Sequence, residues 1–260
     1  MKTKLLVLLQ LLAILFGSNV FALEMGNQKV NITVTQSYVS RYIWRGMDLY
    51  SDDDSAYQPS LDVSLPKAFK NTDISFNVWG SFPTSSGHEI ATELDYSIKA
   101  AHDFEVFNLS TGYIYIDYPK ANNFLDINEY WGSFSLFKIP VLPIDISLNL
   151  FAAYETEATK GGSENGWYYS WGFGTKMPLP KSYVTQEGQA ISFGITNWGN
   201  DGVAGLKPSS LYATDFSLLT SYTIKRFTFT PAFHYVANYN DDINNGDSEV
   251  WGGIDISYSF

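Results

Sequence analysis

Cysteine is absent from this sequence, so disulfides contribute nothing to the fold, whose stability must come from burial and hydrogen bonding. Basic residues are scarce as well, because 16 Lys and Arg face 27 Asp and Glu and leave a formal net charge of −11. Such an acidic chain is a poor partner for nucleic acid, whose phosphates attract basic surfaces. The three histidines are scattered along the sequence, so we expect no metal centre and no cofactor.

Beyond its first segment the sequence also lacks any apolar run of the length that a membrane-spanning helix needs. The first segment has a basic start at Lys2 and Lys4, an apolar core over Leu5–Phe16, and small residues up to Ala22. This order is typical of a cleavable secretory signal peptide. We therefore predict a signal peptide over residues 1–22 and a single domain over residues 23–260, with a short N-terminal anchor as the alternative.

Aromatic residues make up 17% of the chain and are spread along it, whereas charged residues, also 17%, fall below the typical ~25%. Apolar residues recur at every second position, as in strands with one apolar and one polar face. About twelve segments alternate in this way: Val30–Arg45, Gln58–Leu65, Thr72–Ser81, Ile90–Ala101, Phe104–Asp117, Asp126–Phe137, Ile144–Tyr154, Trp167–Lys176, Ala190–Trp198, Tyr212–Ile224, Phe227–Asn238 and Glu249–Phe260.

The connections between these segments alternate along the chain: every odd-numbered connection is long and polar, and most of the even-numbered ones are short. In hydrocarbon every backbone N–H and C=O must be paired within the protein, which only helices and closed barrels achieve. An even strand number, with short turns at one end and long loops at the other, is typical of bacterial outer-membrane barrels. We therefore predict an all-β fold, a closed antiparallel transmembrane β-barrel of about twelve strands, in the outer membrane of a Gram-negative bacterium. Its predicted partners are outer-membrane lipid and lipopolysaccharide.

A soluble β-sandwich is the alternative fold, since it would also bury one apolar face of each strand. Tyr and Trp near the strand ends count against it, because they are typical of the aromatic girdles at the two membrane surfaces. We predict one girdle from Tyr57, Trp167, Tyr212 and Tyr235, and the other from Phe107, Phe137, Tyr222, Phe227 and Tyr258.

The sequence ends on a large aromatic residue in a strand that would close the barrel against the first one. We expect Phe260 to face outward at the periplasmic interface, on the same face as Ile256 and Tyr258. A terminal aromatic residue preceded by apolar residues at two-residue intervals resembles the signal that the barrel assembly machinery reads. These three residues are therefore the predicted C-terminal assembly signal.

The polar faces of the strands would line the lumen. The charged residues of inward parity comprise seven carboxylates and four cations: Arg41, Arg45, Asp62, Glu93, Asp95, Lys99, Glu129, Asp145, Lys176, Asp215 and Asp255. An excess of carboxylates in a narrow lumen favours cations or cationic solutes. The simpler interpretation of any one of these charges is that it pairs with a neighbour and holds the wall in shape.

Two arginines, Arg41 and Arg45, share the inward face of the first predicted strand, about 13 Å apart at ~3.3 Å per residue. Guanidinium groups are well shaped for bidentate pairing with carboxylates. We expect both to pair chiefly with Asp62, Glu93 and Asp95 on the second to fourth predicted strands.

Three stretches resemble a known family: Ser37–Gly46 (SYVSRYIWRG) followed by Ser51, Asp73–Ser81 (DISFNVWGS), and Glu93–Tyr96 (ELDY). They resemble the TorF-like porins, whose first motif is a Ser/Tyr-rich strand that ends in Arg-Gly before a polar loop. Tyr42-Ile43-Trp44 is an insertion relative to that motif. The resemblance implies an outer-membrane barrel with pore activity, and it implies no substrate.

The predicted function is a porin-like channel for passive diffusion of small solutes or ions, with a preference for cations. We predict no enzymatic activity, since the sequence shows no signature of a Ser/His pair oriented by a third group. The alternative is a barrel without transport that has a structural or adhesive role through its acidic loops. Inward Ser and Gly would leave the lumen open, whereas inward Trp79, Trp131, Phe151 and Trp198 would obstruct it.

Overall fold

The computed structural model describes residues 23–25, 28–50, 54–85, 89–121, 125–139, 145–158, 165–181, 189–203 and 210–260. The predicted signal peptide over residues 1–22 lies outside this range. Within the described residues, no helix combines the length and the apolar character that crossing a membrane requires.

The period-two alternation of the sequence is realised as antiparallel strands. Numbered in chain order, the strands are β1 (Leu23–Met25), β2 (Gln28–Val39), β3 (Ile43–Trp44), β4 (Met47–Asp48), β5 (Ala56–Phe69), β6 (Thr72–Pro83), β7 (Glu93–Asp103), β8 (Phe107–Asp117), β9 (Ile127–Leu136), β10 (Ile146–Glu157), β11 (Gly166–Pro178), β12 (Ala190–Asn200), β13 (Ser210–Thr220), β14 (Tyr222–Ile224), β15 (Phe227–Asn238) and β16 (Glu249–Ser259).

Twelve of these strands, β2, β5 to β13, β15 and β16, form the wall of a closed barrel. Each wall strand pairs with its sequence neighbour in the wall, and the ring closes because β2 pairs with both β16 and β5. At this seam Gly253 lies opposite Val39 and Ser259 lies opposite Thr33. Closure leaves the wall without an unpaired edge. The predicted closed antiparallel barrel of about twelve strands is thereby confirmed.

The two ends of the barrel differ in their connections. Long connections follow the wall-strand ends at Val39, Pro83, Asp117, Glu157, Asn200 and Asn238, and this end is called the long-loop end. The opposite end carries the strand ends at Phe69, Asp103, Leu136, Pro178 and Ile224. The connections after Phe69, Asp103 and Ile224 are short, and those after Leu136 and Pro178 are longer, so this end is called the short-turn end.

The two faces of the wall have opposite chemistry. Inside, the hydroxyl groups of Thr35 and Ser257 hydrogen-bond across the seam at 2.9 Å. Outside, Phe76 and Phe233 remain 47% and 50% exposed, so no second sheet covers them. The soluble sandwich alternative would bury these side chains and is therefore wrong.

The first predicted strand, Val30–Arg45, is too long. The wall strand β2 ends at Val39, and β3 and β4 form a separate hairpin in which Trp44 pairs with Met47. Arg45 and Gly46 connect the two strands with φ angles of 51° and 88°. Two consecutive positive φ angles are typical of a type I′ hairpin turn, whereas a continuing strand requires negative ones. Arg41 and Arg45 therefore do not share a strand face.

Tyr212 is also wrongly predicted, because it does not join an outer girdle. The register of β12 against β13 shifts after Trp198, which pairs with Ala213, whereas Gly199 pairs with Leu211. Tyr212 is the extra residue of this bulge, and its side chain is fully buried. A bulge changes the face on which a side chain emerges, which simple alternation does not anticipate.

The buried core lies at the long-loop end, where the β3–β4 hairpin meets the inward face of the wall. One cluster of buried residues comprises Met47, Tyr168, Val203, Tyr212, Ala213, Val236 and Ile243. A second cluster comprises Val39, Tyr42, Tyr50 and Ala56.

Candidate functional site

The β3–β4 hairpin lies within the barrel and spans its lumen. On one side the Arg45 side chain reaches Glu129 of β9 and Glu155 of β10. On the other side Gly46 lies against β13, where an added Cβ would approach the Cβ of Ala213 to 2.7 Å. Only glycine fits this contact, and its φ of 88° also favours glycine. The hairpin therefore obstructs the lumen near the long-loop end.

Arg45 is the charged residue at the tip of this hairpin, and only 9% of its side chain is exposed. One guanidinium nitrogen lies 2.5 Å from Glu129 Oε2 and the other 3.5 Å from Glu155 Oε1. The guanidinium carbon also lies 4.2 Å from the ring centroid of Trp44 and 4.8 Å from that of Tyr168. A buried cation needs this combination of paired carboxylates and aromatic faces to offset its lost hydration.

A second acidic group lies beside the base of the hairpin. The Tyr42 hydroxyl donates to both carboxylate oxygens of Glu93, at 3.1 and 3.2 Å. Burial, followed by the nearby Glu93 charge, raises the pKa of the Tyr42 phenol well above its usual range, so the hydroxyl remains a donor. Asp95 follows Glu93 on the inward face of β7, opposite Trp79 of β6.

Two elements of the long-loop end fasten the hairpin. The Tyr212 hydroxyl donates to the Arg45 carbonyl at 2.8 Å. Asn244, in the connection between β15 and β16, accepts from the Asp48 amide at 2.8 Å and donates to the Gly46 carbonyl at 3.2 Å. The connection between β2 and β5, which contains the hairpin, is therefore held in place by the connection between β15 and β16.

A cavity of about 300 Å³ lies beneath the hairpin and is called the subhairpin cavity. Its lining comprises Arg45, Asp62, Ser75, Asn77, Ser97, Lys99, Ile114, Glu129, Trp131 and Phe151. Side chains from β5 to β7 supply most of its polar surface, and side chains from β8 to β10 supply its apolar surface. The cavity thus has a charged and a hydrophobic side.

A second cavity of about 480 Å³ lies at the short-turn end. Asp145 and Lys176 both line it, together with small polar residues such as Ser147 and Ser192. Asp145 is exposed and forms an ion pair with Lys138. This cavity is larger than the subhairpin cavity.

The wall opposite these cavities carries two more of the predicted lumenal carboxylates, Asp215 and Asp255. Asp215 of β13 lies 3.0 Å from Nδ1 of His234, whose ring stacks on Trp251 at 3.9 Å. Asp255 of β16 lies opposite Ser37 and Thr230, on the inward face.

No protein-family model matches the sequence, and no curated protein matches it. Among solved structures, an outer-membrane channel from Pseudomonas putida F1 is similar at 10% identity and a TM-score of 0.50, over 94% of this chain and 98% of its own. A KdgM porin (9% identity, TM-score 0.48) covers 88% of this chain and 99% of its own. A NanC porin (12% identity, TM-score 0.48) covers 88% and 98%. The chain has the fold of an outer-membrane β-barrel.

The expected pairing of the two arginines is wrong in its partners. Arg45 pairs with Glu129 and Glu155 instead of the acids of β5 to β7, because the hairpin carries it away from the β2 wall position. Arg41 follows the end of β2 and forms an ion pair with Glu249 of β16.

Several residues of the site were not predicted from the sequence. Glu155 has the same parity as the inward residues Ser147, Asn149 and Phe151 on β10. It lies one residue beyond the predicted segment Ile144–Tyr154, so extending that segment would have found it. Glu249 has the same parity as Asp255 on β16. Asn244 has no such signal, since its contact with the hairpin depends on the fold of two distant connections.

Proposed function

We propose that this chain is a porin-like channel of the outer membrane of a Gram-negative bacterium, through which small solutes or ions pass by diffusion. The supporting observation is a sealed wall around a polar lumen that contains two cavities, one beneath the hairpin and one at the short-turn end. Polar and charged side chains line both cavities. The hairpin is then the constriction that sets the conductance.

The proposed preference for cations is supported by the charges of the lumen. Glu155 and Glu249 add two carboxylates to the inward set and no further cation. Arg45 is shared between two carboxylates, whereas Asp255 forms no ion pair with another described residue. Uncompensated carboxylates in a narrow lumen attract cations and repel anions.

The experiment is a measurement of ion current through the refolded protein in a planar lipid bilayer under a salt gradient. We expect discrete conductance steps and a reversal potential displaced toward the equilibrium potential of the cation. A reversal potential displaced toward that of the anion would contradict the proposed selectivity. Silence across salts and voltages would contradict the channel itself.

A barrel without transport, with a structural or adhesive role through its acidic loops, is the second candidate. The hairpin obstructs the lumen, and beneath it the rings of Trp131, Phe151 and Trp198 follow one another at 6.2 Å. These aromatic rings narrow the path further. The current measurement separates the two candidates, because a permanently filled lumen conducts nothing. In neither candidate is the chain an enzyme.

The remaining assignments follow from the same proposal. Membership of the TorF-like porins is proposed from the three sequence stretches that resemble this family. Ile256, Tyr258 and Phe260 are proposed as the signal for the barrel assembly machinery, with lipid and lipopolysaccharide around the barrel. The Phe260 amide donates to the Ile32 carbonyl at 2.9 Å, and its ring lies 4.8 Å from that of Tyr258.

A further inference from the structure

We infer that the subhairpin cavity binds a small zwitterionic solute, of the size and charge pattern of an α-amino acid with an uncharged side chain. This inference rests on the proposed channel function, since it names the class of solute that the lumen would hold. It is drawn from the charges, the free polar groups and the apolar side of the cavity.

Two opposite charges that attract each other without direct contact, Asp62 and Lys99, face this cavity. Asp62 of β5 and Lys99 of β7 form no hydrogen bond or ion pair with another residue in the described part of the chain. They flank β6, since Asp62 pairs with Asn77 and Lys99 pairs with Ser75. The other two charges of the cavity, Arg45 and Glu129, already pair with each other. Because Asp62 and Lys99 do not touch each other, a ligand between them can contact one negative and one positive group.

Small polar side chains lie between these two charges. Ser75, Asn77 and Ser97 line the cavity, and their side chains make no hydrogen bond to any other described residue. These three side chains are half-buried, and polar groups that line a pocket without a protein partner can bind a ligand with donors and acceptors. They suit the carboxylate and ammonium groups of a zwitterion.

The opposite side of the cavity is apolar and partly aromatic. Trp131 lies against the wall at Gly112, where an added Cβ would approach its indole ring to 2.6 Å. Phe151 lies beside it, with ring centroids 6.2 Å apart, and Ile114 completes this side. An aromatic face attracts an ammonium group and also accepts the hydrocarbon part of a solute.

Size and charge together select the class of solute. A cavity of about 300 Å³ lies at the lower end of the ~300–1,000 Å³ range of ligand pockets, so the ligand is small. A simple cation would pair with Asp62 but be repelled by Lys99. A simple anion would pair with Lys99 but be repelled by Asp62. A zwitterion satisfies both groups at once.

The test is isothermal titration calorimetry of the detergent-refolded protein with L-glutamine, and with propionate and propylammonium as single-charge analogues. Lys99→Met and Asp62→Asn should each weaken L-glutamine binding by about tenfold or more, the effect of losing one charge-assisted contact. Lys176→Met and Asp255→Asn are matched controls, since they remove inward charges outside the cavity, and they should bind as the unaltered protein does. The analogues should bind more weakly than L-glutamine.

A charge-reversed double variant keeps the test independent of any folding defect. Asp62→Lys combined with Lys99→Asp should restore binding relative to either single reversal, because a zwitterion can turn around. Absence of binding heat, equal affinity in the Lys99→Met variant, or analogues that bind as tightly as L-glutamine would overturn the inference. If L-glutamine does not bind but the ion currents are normal, the solute-binding inference is wrong and the channel proposal stands. If the ion currents are absent, the channel proposal itself is contradicted.

Discussion

Arg45 combines two features that are each unfavourable alone. Its φ of 51° lies in the left-handed region, which costs a non-glycine residue roughly 1–2 kcal/mol. Its guanidinium group is also removed from water. Breaking a buried ion pair by removing one partner typically costs about 3–5 kcal/mol, so loss of the contacts with Glu129 and Glu155 would destabilise the hairpin by more than the backbone strain does. The charge of this residue, rather than its backbone preference, holds the hairpin tip in the lumen.

Replacing Arg45 separates these two contributions. Arg45→Asn suits the turn, because Asn tolerates positive φ, but it leaves Glu129 and Glu155 without their cation. We expect a wider and more cation-selective lumen, seen as a larger single-channel conductance and a reversal potential closer to that of the cation. Arg45→Lys is the control, which retains the charge and should change both quantities less. Identical traces for Arg45→Asn and the unaltered protein would show that this residue does not limit the current.

Gly112 tests the packing of the lumenal aromatic residues. A Cβ at this position would lie 2.6 Å from both the Ile98 carbonyl oxygen and the Trp131 ring, and the backbone atom cannot yield. Gly112→Ala should therefore destabilise the barrel by about 1–3 kcal/mol, as overpacking does. Gly132→Ala is the control, since its nearest neighbour lies 3.8 Å away. Urea titration followed by tryptophan fluorescence measures both, and equal midpoints would contradict the expected clash.

The strands and the hairpin differ in how well the sequence predicts them. Phe227–Asn238 has the same bounds as β15, because its alternation is strict and its neighbours repeat the pattern. The alternation predicts a first strand that runs to Arg45, because Tyr42 and Trp44 continue the apolar pattern beyond the end of β2 at Val39. The Arg45-Gly46 pair carries the missing turn signal, but arginine is rarely the first residue of such a turn. The local alternation pattern therefore predicts the strands of the barrel wall. The position of the hairpin depends on contacts between distant parts of the chain, which no local pattern predicts.

The hairpin in the connection after β2 is held by Asn244 in the connection between β15 and β16, and a substitution of Asn244 tests this contact. Asn244→Ala removes two hydrogen bonds, to Asp48 and Gly46, and should increase the population of the released hairpin by roughly tenfold or more. Released hairpins expose the bond after Arg45 to trypsin, so cleavage between Arg45 and Gly46 should become faster. Asn245→Ala is the control, because Asn245 is exposed and also has a positive φ. Equal cleavage rates in the two variants would show that Asn244 does not fasten the hairpin.

At the scale of the whole molecule, one ring of antiparallel strands separates two environments. Its outer surface carries exposed aromatic and aliphatic side chains, and its inner surface carries hydroxyl, amide and carboxylate groups. Every wall strand has neighbours on both sides, so the backbone needs no water along the outer surface. The absence of disulfides is consistent with this design, since the closed hydrogen-bonded ring itself restrains the strands. The main obstruction of the lumen is thus one short hairpin, to which the wall adds the aromatic rings of Trp131, Phe151 and Trp198.

The most direct test compares single-channel conductance of the unaltered protein with that of a variant lacking the hairpin. The Leu49 amide donates to the Tyr42 carbonyl at 3.0 Å, so residues 43–48 can be replaced by a Gly-Gly turn without moving their neighbours. We predict a clearly larger and steadier conductance in the shortened protein, measured in the same bilayers and salt. Equal conductance in the two proteins, or no current from either, would contradict a lumen that this hairpin closes.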